Sequence, residues 1–290
     1  MAENTLPISP TQSDEKIKQA VRERYARTIS QSGTCCCSSG SDSCGPVRTD
    51  LVQMAHYNPD ELEKLPTDAV ENSLGCGNPL AFAEVQAGDI VLDIGSGAGI
   101  DVLLASRIVG PTGRIIGLDM TPEMIERARA NAVRAGAANV EFRQGDADQM
   151  PVADANVDWI ISNCVINLAP DKRKVFSEVY RVLKPGGRVS ISDIVTGRLP
   201  NEVRNSMALW ASCIGGAIPE AEYLGIMREM GLVDIEVASR QHYDVETIRA
   251  LIASNFSSPA DREMLDGLLA NYRGLVGEFW SAKITARKPA

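Results

Sequence analysis

Val91-Leu92-Asp93-Ile94-Gly95-Ser96-Gly97-Ala98-Gly99 is the stretch on which the reading of this chain turns. An apolar run of strand character ends in a loop with a glycine at every second position, and a helical pattern follows. Without Cβ atoms the loop backbone can turn sharply and approach a ligand closely. A dinucleotide-binding loop would carry its third glycine at position 100, where this chain has Ile100, so the spacing favours a ligand without a pyrophosphate and argues against NAD. A tight strand-to-helix turn with no ligand would read the same way, so the residues beyond it must decide.

From Ile90 to Ile194 short apolar runs alternate with segments of helical period, the pattern of βαβ units around a parallel sheet. Ile90 to Ile94, Arg114 to Leu118, Val140 to Arg143, Val157 to Ser162 and Arg188 to Asp193 are predicted strands. Thr121 to Ala135 and Asp171 to Leu183 are predicted helices, the second stopped by Lys184-Pro185-Gly186-Gly187. Right-handed crossovers then require helices on both faces of the sheet. Asp119 ends the second strand twenty residues past Gly99, where an acidic side chain accepts hydrogen bonds from ribose hydroxyls. Asp146 follows the third strand, placed to accept from an adenine amino group while Met120 packs on the ring. Open α/β sheets bind ligands at these carboxyl ends.

The flanks read differently. Asp14 to Arg27 places Ile17, Val21 and Tyr25 on one helical face, with Ser13 as N-cap. Gln31 to Pro46, QSGTCCCSSGSDSCGP, is a Ser/Gly-rich loop between that helix and the core. Past Gly197, Asn201 to Trp210, Glu220 to Met230 and Val245 to Ala253 are predicted helices, and Phe279 to Ala286 a closing strand. The expected organisation is an N-terminal helix and cysteine-rich region (1–79), a ligand-binding core (80–197), and a smaller C-terminal α+β lobe with a closing strand (198–290).

With 29 Lys and Arg against 38 Asp and Glu the net charge is −9, so the average surface repels phosphate backbones and anionic lipids. No nucleic acid and no membrane partner is expected. Neither a signal-like N-terminus nor a long apolar run is seen, so the expected location is cytoplasmic. There thiols stay reduced, which makes the seven cysteines informative. Cys35, Cys36, Cys37 and Cys44 crowd one loop, a poor fit to a single tetrahedral zinc. Cys164 follows the fourth strand and so faces the ligand crevice. Cys76 is flanked by glycines, which are expected to expose its sulfur and leave the backbone free to bend. Cys213 sits in a Gly-rich turn. An isolated cysteine reads first as a small buried hydrophobe; the strand end at Cys164 and the glycines at Cys76 shift that reading toward function, while Cys213 reads equally well as packing.

Residues Leu80 to Ile194 resemble class I S-adenosylmethionine-dependent methyltransferases, an α/β class with a Rossmann-like sheet. That resemblance implies that Asp93, Gly95, Gly97 and Gly99 hold the methionine part of S-adenosylmethionine, Asp119 the ribose, and Met120, Asp146 and Ala147 the adenine, with Asn163 in the same binding set. The phrases SLGCGNP (73–79), SNCVINLAPDK (162–172) and CIGGA (213–217), beside VLDIGSGAGIDVLLAS (91–106), narrow the resemblance to arsenite S-adenosylmethionine methyltransferases, from Tyr25 to Ala286. It implies that Cys76, Cys164 and Cys213 bind trivalent arsenic, that one of Cys35, Cys36, Cys37 or Cys44 completes a redox set, and that a thiol reductant such as thioredoxin or glutathione resets it.

The chemistry of the residues fits that implication. A soft, thiophilic centre prefers thiolate sulfur to carboxylate or imidazole. With two histidines, His56 and His242, the chain has little acid or base catalysis to offer, so positioning must supply most of the rate. Two other readings stand beside it: a methyltransferase for a small organic acceptor, tolerant of Cys76→Ser, and a thiol-based metalloid-sequestering protein, which need not bind the cofactor.

Overall fold

The computed structural model describes residues 14–31, 57–73, 75, 77–197, 216–244 and 279–290. The run before the glycine loop is β1 (Ile90–Ile94), central in a sheet of seven strands. It pairs in parallel with β2 (Arg114–Asp119) and with β4 (Val157–Asn163). Beyond β2 lies β3 (Val140–Gln144), and beyond β4 lies β5 (Leu183–Thr196). The chain order along the sheet therefore reverses between β1 and β4, which opens a crevice at the carboxyl ends of these two strands. Side chains alternate between the faces. Leu92, Ile94, Ile116, Leu118 and Ile160 join one core with Phe176 and Tyr223, while Val91, Ile115, Trp159 and Ile161 join another with Leu103, Ile125 and Phe142. Burial on both faces is why these strands read as near-continuous apolar runs.

The predicted strands begin where expected, except that β5 starts five residues early, at Leu183. Lys184-Pro185-Gly186-Gly187 does stop the preceding helix, yet it is part of β5 rather than a loop before it. The pairing with β4 slips between Val157 and Trp159 to take up the extra residues, and Gly186, at φ 76°, donates its N–H to the carbonyls of Lys288 and Pro289. The C-terminal segment supplies the partners that keep this cluster in the sheet.

The helices begin with α1 (Asp14–Gln31), one turn longer than expected, whose Ile17, Val21 and Ile29 are buried. Two short turns, α2 (Pro59–Leu62) and α3 (Thr67–Glu71), and a 3-10 turn at Pro79–Phe82 lead to β1. Then come α4 (Ile100–Val109), α5 (Pro122–Ala135) and α6 (Lys172–Val182). Proline in the first turn of α5 sacrifices no helical hydrogen bond, and Gly136 ends it in the left-handed region. The Asp171 carboxylate caps α6 by accepting from the N–H groups of Arg173 (2.9 Å) and Lys174 (3.3 Å). Val175, Phe176, Val179 and Val182 then form its fully buried stripe.

From the C-terminal region, α7 (Glu220–Glu229), β6 (Val233–His242) and β7 (Phe279–Arg287) are described. β7 runs antiparallel between β5 and β6, so both strands extend the main sheet. β6 was not among the predicted strands, although Val233-Asp234-Ile235-Glu236-Val237 alternates as an edge strand should. Its residues alternate between half-buried and exposed. The predicted helices at 201–210 and 245–253 and the remainder of the expected lobe lie outside the described residues. Among the described residues no helix is long and apolar enough to cross a membrane.

Candidate active site

The glycine loop is strapped to the end of β2. The N–H groups of Gly95 and Ser96 both donate to the Leu118 carbonyl (2.7 and 2.8 Å), and the Gly97 N–H donates to Asp119 Oδ2 (3.0 Å). Gly95, Gly97 and Gly99 all have φ between 51° and 97°, which is why glycine is needed at each. A Cβ on Gly97 would meet no atom within 4 Å, so the loop backbone faces open space. That space is the crevice at the reversal point. Its lining includes Gly95, Gly97, Asp101, Asp119, Met120, Asp146, Ala147, Asn163 and Cys164, which brings most of the residues singled out from the sequence to one place. Asp93 and Gly99 do not line it: Asp93 is almost fully buried behind the loop, and Gly99 is the N-cap of α4.

Three carboxyls sit close together here, and burial penalises the charged form of each. Asp93 is pushed well above its ordinary value by burial and by the charges of Asp101 and Asp119. Burial raises Asp101 to about 6, held back by hydrogen bonds from Tyr57 and Asn163. Asp119 is raised by burial while the backbone N–H groups of Thr121 and Gly97 favour its ionised form. A cation in the crevice would relieve all three. Ser96 adds a buried hydroxyl that has no hydrogen-bond partner among the described residues. An open glycine cradle, a positioned carboxylate on β2, unneutralised buried acids and the apolar Leu118, Met120 and Met124 together fit a cationic nucleoside.

Asp101, Tyr57 and the basic face of α1 were not foreseen. The Tyr57 hydroxyl donates to Asp101 (2.9 Å) and accepts from Asn163 Nδ2 (3.0 Å). Lys18 pairs with Asp148 (2.7 Å) and Asp146 (3.3 Å), and Arg22 with Asp146 (3.2 Å). Burial works against the Lys18 ammonium, but the two acids outweigh it and raise its pKa. Asp146, assigned to an adenine amino group, is thus also the anchor of α1, and the helix set apart by the cysteine-rich loop in the sequence reading docks over the crevice. Lys18 and Arg22 are one turn apart beside the apolar stripe, but their partners lie more than a hundred residues away, so no local signal marks them.

Cys164 is the cysteine within the described residues; Cys35, Cys36, Cys37, Cys44, Cys76 and Cys213 lie outside them. It is 5% exposed and takes φ 59°, a left-handed conformation that costs a non-glycine residue about 1 kcal/mol or more and that recurs at functional sites. Its N–H donates to the Ser192 carbonyl (2.8 Å). Cys164 is disulfide-bonded. Among the described residues no group of His, Cys, Asp and Glu is arranged to hold a metal ion.

Residues 86–231 match the family model described as "Methyltransferase domain". An arsenite methyltransferase of Halobacterium salinarum is 41% identical over 287 residues, covering 95% of this chain and 68% of that protein. One from Aquipseudomonas alcaligenes is 34% identical over 231 residues, covering 77% of this chain and 64% of the relative. The chain therefore spans about two thirds of the length of these relatives. Among solved structures, CrArsM, an arsenic(III) S-adenosylmethionine methyltransferase from Chlamydomonas reinhardtii, superposes with a TM-score of 0.64 at 32% identity, covering 80% of this chain and 72% of that one. The seven-stranded sheet with its single antiparallel strand is the class I methyltransferase fold, and the chain belongs to the arsenite methyltransferase family.

Proposed function

We propose that this chain methylates trivalent arsenic, arsenite and then methylarsenite, with S-adenosylmethionine as methyl donor, and so serves arsenic detoxification. The single observation that carries the reading is the placement of Cys164. A strained, buried cysteine, next to Asn163 in the chain, lines the same crevice as the glycine loop and Asp119. In the proposed arrangement Asp119 receives the ribose, Met120, Asp146 and Ala147 the adenine, and the backbone from Gly95 to Gly97 with Asp101 the methionine part. Asp93 supports the loop from behind, and Gly99 starts α4. When bound, the cofactor supplies an electrophilic methyl on a cationic sulfur.

The chain's own part is to hold the nucleophile. Cys164, with Cys76 and Cys213, binds arsenic through sulfur, because soft thiolates suit it and hard oxygen ligands do not. Arsenic on three thiolates keeps one lone pair, and the site directs it into the crevice. Binding expels the thiol protons, since thiols near a pKa of ~8.5 must ionise to become ligands. The arsenic lone pair would form the As–C bond as the methyl–sulfonium bond breaks, with that bond's electrons staying on the departing sulfur as a neutral thioether. Arsenic, formally oxidised by two electrons, would regain them from a cysteine pair that closes a disulfide. A thiol reductant such as thioredoxin or glutathione reopens it, which places the protein in a reducing compartment, the cytoplasm. We divide the chain into an N-terminal cysteine-bearing region (1–79), the cofactor core (80–197) and a C-terminal substrate region (198–290).

The test is chromatographic speciation of arsenic after incubation of the reduced protein with S-adenosylmethionine, thiol and arsenite. Wild type should yield methylated arsenic; Cys164→Ser should bind cofactor normally yet yield none. Turnover by Cys164→Ser equal to wild type would overturn the role, and methylation of an organic acceptor with no arsenic product would overturn the function.

A further inference from the structure

The carboxamide of Asn163 is committed to a task other than touching a nucleotide. Its Oδ1 accepts from the Gly77 N–H (3.1 Å), and its Nδ2 donates to the Gly77 carbonyl (2.6 Å). One side chain thus satisfies both backbone groups of one residue, as a neighbouring strand would. Rotating the amide by half a turn would set donor against donor and acceptor against acceptor, so the pairing dictates its orientation. The second Nδ2 hydrogen is claimed by the Tyr57 hydroxyl (3.0 Å) and Asp101 Oδ2 (3.3 Å). No donor is left for a ligand.

The glycines on either side of Cys76 acquire a reason from this. Neither Gly75 nor Gly77 has positive φ, so backbone bending is not what requires them. A Cβ on Gly75 would overlap the Asn163 carboxamide, and one on Gly77 would overlap the Ser192 side chain. Asn163 and Ser192 are also the two residues that hold Cys164, one through the peptide bond and the other through its carbonyl. The segment that carries residue 76 on its middle position is therefore gripped at both flanks by the residues that fix Cys164.

We infer that Asn163 is a positioning residue that sets the Gly75–Gly77 segment, and with it the thiol of Cys76, in register with Cys164 for joint capture of arsenic; the arsenic part of this inference rests on the function proposed above. The register is tested without arsenic or cofactor. In full-length protein with Cys35, Cys36, Cys37, Cys44 and Cys213 replaced by serine and the remaining thiols reduced, dibromobimane should bridge Cys76 and Cys164 and become fluorescent. Losing the paired bonds to Gly77 should slow bridging at least about tenfold in Asn163→Ala. Asn163→Asp, which sets a carboxylate oxygen against the Gly77 carbonyl and the Asp101 carboxylate, should bridge no faster than Asn163→Ala. Gly75→Ala, which displaces the segment with Asn163 intact, should also bridge slowly. Bridging at the wild-type rate in Asn163→Ala, or none in the parent protein, would overturn the inference.

In the otherwise native protein the same substitutions should raise KM for arsenite about tenfold with a smaller change in kcat, and affect methylarsenite less, because one As–C bond leaves it two positions for thiolates. Equal losses on both substrates would refute a role in arsenic capture. Absence of any arsenic methylation by wild type would instead refute the proposed function, leaving the bridging result to decide the register.

Discussion

Asp101 stands in the first turn of α4 with its carboxylate between Tyr57, Asn163 and the crevice, and burial lifts its pKa to about 6. The folded value exceeds the unfolded one, so in the free protein this group's contribution to stability is full below an ordinary pH of about 3.8 and is lost as pH rises through about 6. Cofactor binding should run the other way. A bound cation favours the carboxylate and releases a proton, so affinity should rise about tenfold between pH 5 and pH 7. Titration calorimetry in buffers of different ionisation enthalpy should detect that proton, and Asp101→Asn should bind more weakly with a flattened pH dependence. An unaltered pH profile in that variant would remove Asp101 from cation recognition. No local pattern marks its role, because Tyr57 and Asn163 reach it from 44 and 62 residues away.

At the scale of elements, α1 illustrates how a helix is specified locally and placed globally. Its Ile17 and Val21 stripe and acidic first turn announce an amphipathic helix. Its location over the crevice comes from Lys18 and Arg22 meeting Asp146 and Asp148. The Lys18 and Asp148 side chains are 13% and 10% exposed, so this pair lies beyond the range of weak surface ion pairs. Lys18→Met should remove the cationic partner of part-buried Asp148 at ~1.5–3 kcal/mol, while Asp146 keeps Arg22. The amides of α1 should then exchange hydrogen roughly ten- to a hundredfold faster while those of β1 and β4 do not change; exchange of α1 at the wild-type rate would show that apolar contacts alone hold it.

For the whole molecule, β7 is the strand that joins the N-terminal core to the C-terminal region. Its Ile284 is fully buried, lies opposite Ile191 of β5 and Val237 of β6, and belongs to the same core as Leu92 and Phe176. Ile284→Ala should cost ~2–5 kcal/mol. Urea unfolding followed by circular dichroism should show the midpoint falling accordingly. If the midpoint does not move, the C-terminal strands are dispensable to the stability of the core.

What the sequence by itself determined is the part encoded by local pattern: alternating apolar runs and helical periods for the core strands and helices, the glycine loop, and acids at strand ends, each readable within about twenty residues. The close match of short phrases also carried the family. What tertiary structure decided is which side chains meet. The parallel sheet brings Gly77, Tyr57 and Asp101 onto Asn163, seats Lys18 on Asp148, and lets Lys288 and Pro289 hold Gly186 within β5. It also turns the glycines around Cys76 from apparent hinges into points of close approach to Asn163 and Ser192. These contacts join residues tens to more than a hundred positions apart. Periodicity carries no information about such pairs, because their geometry exists only once both faces of the sheet are buried and the crevice has formed.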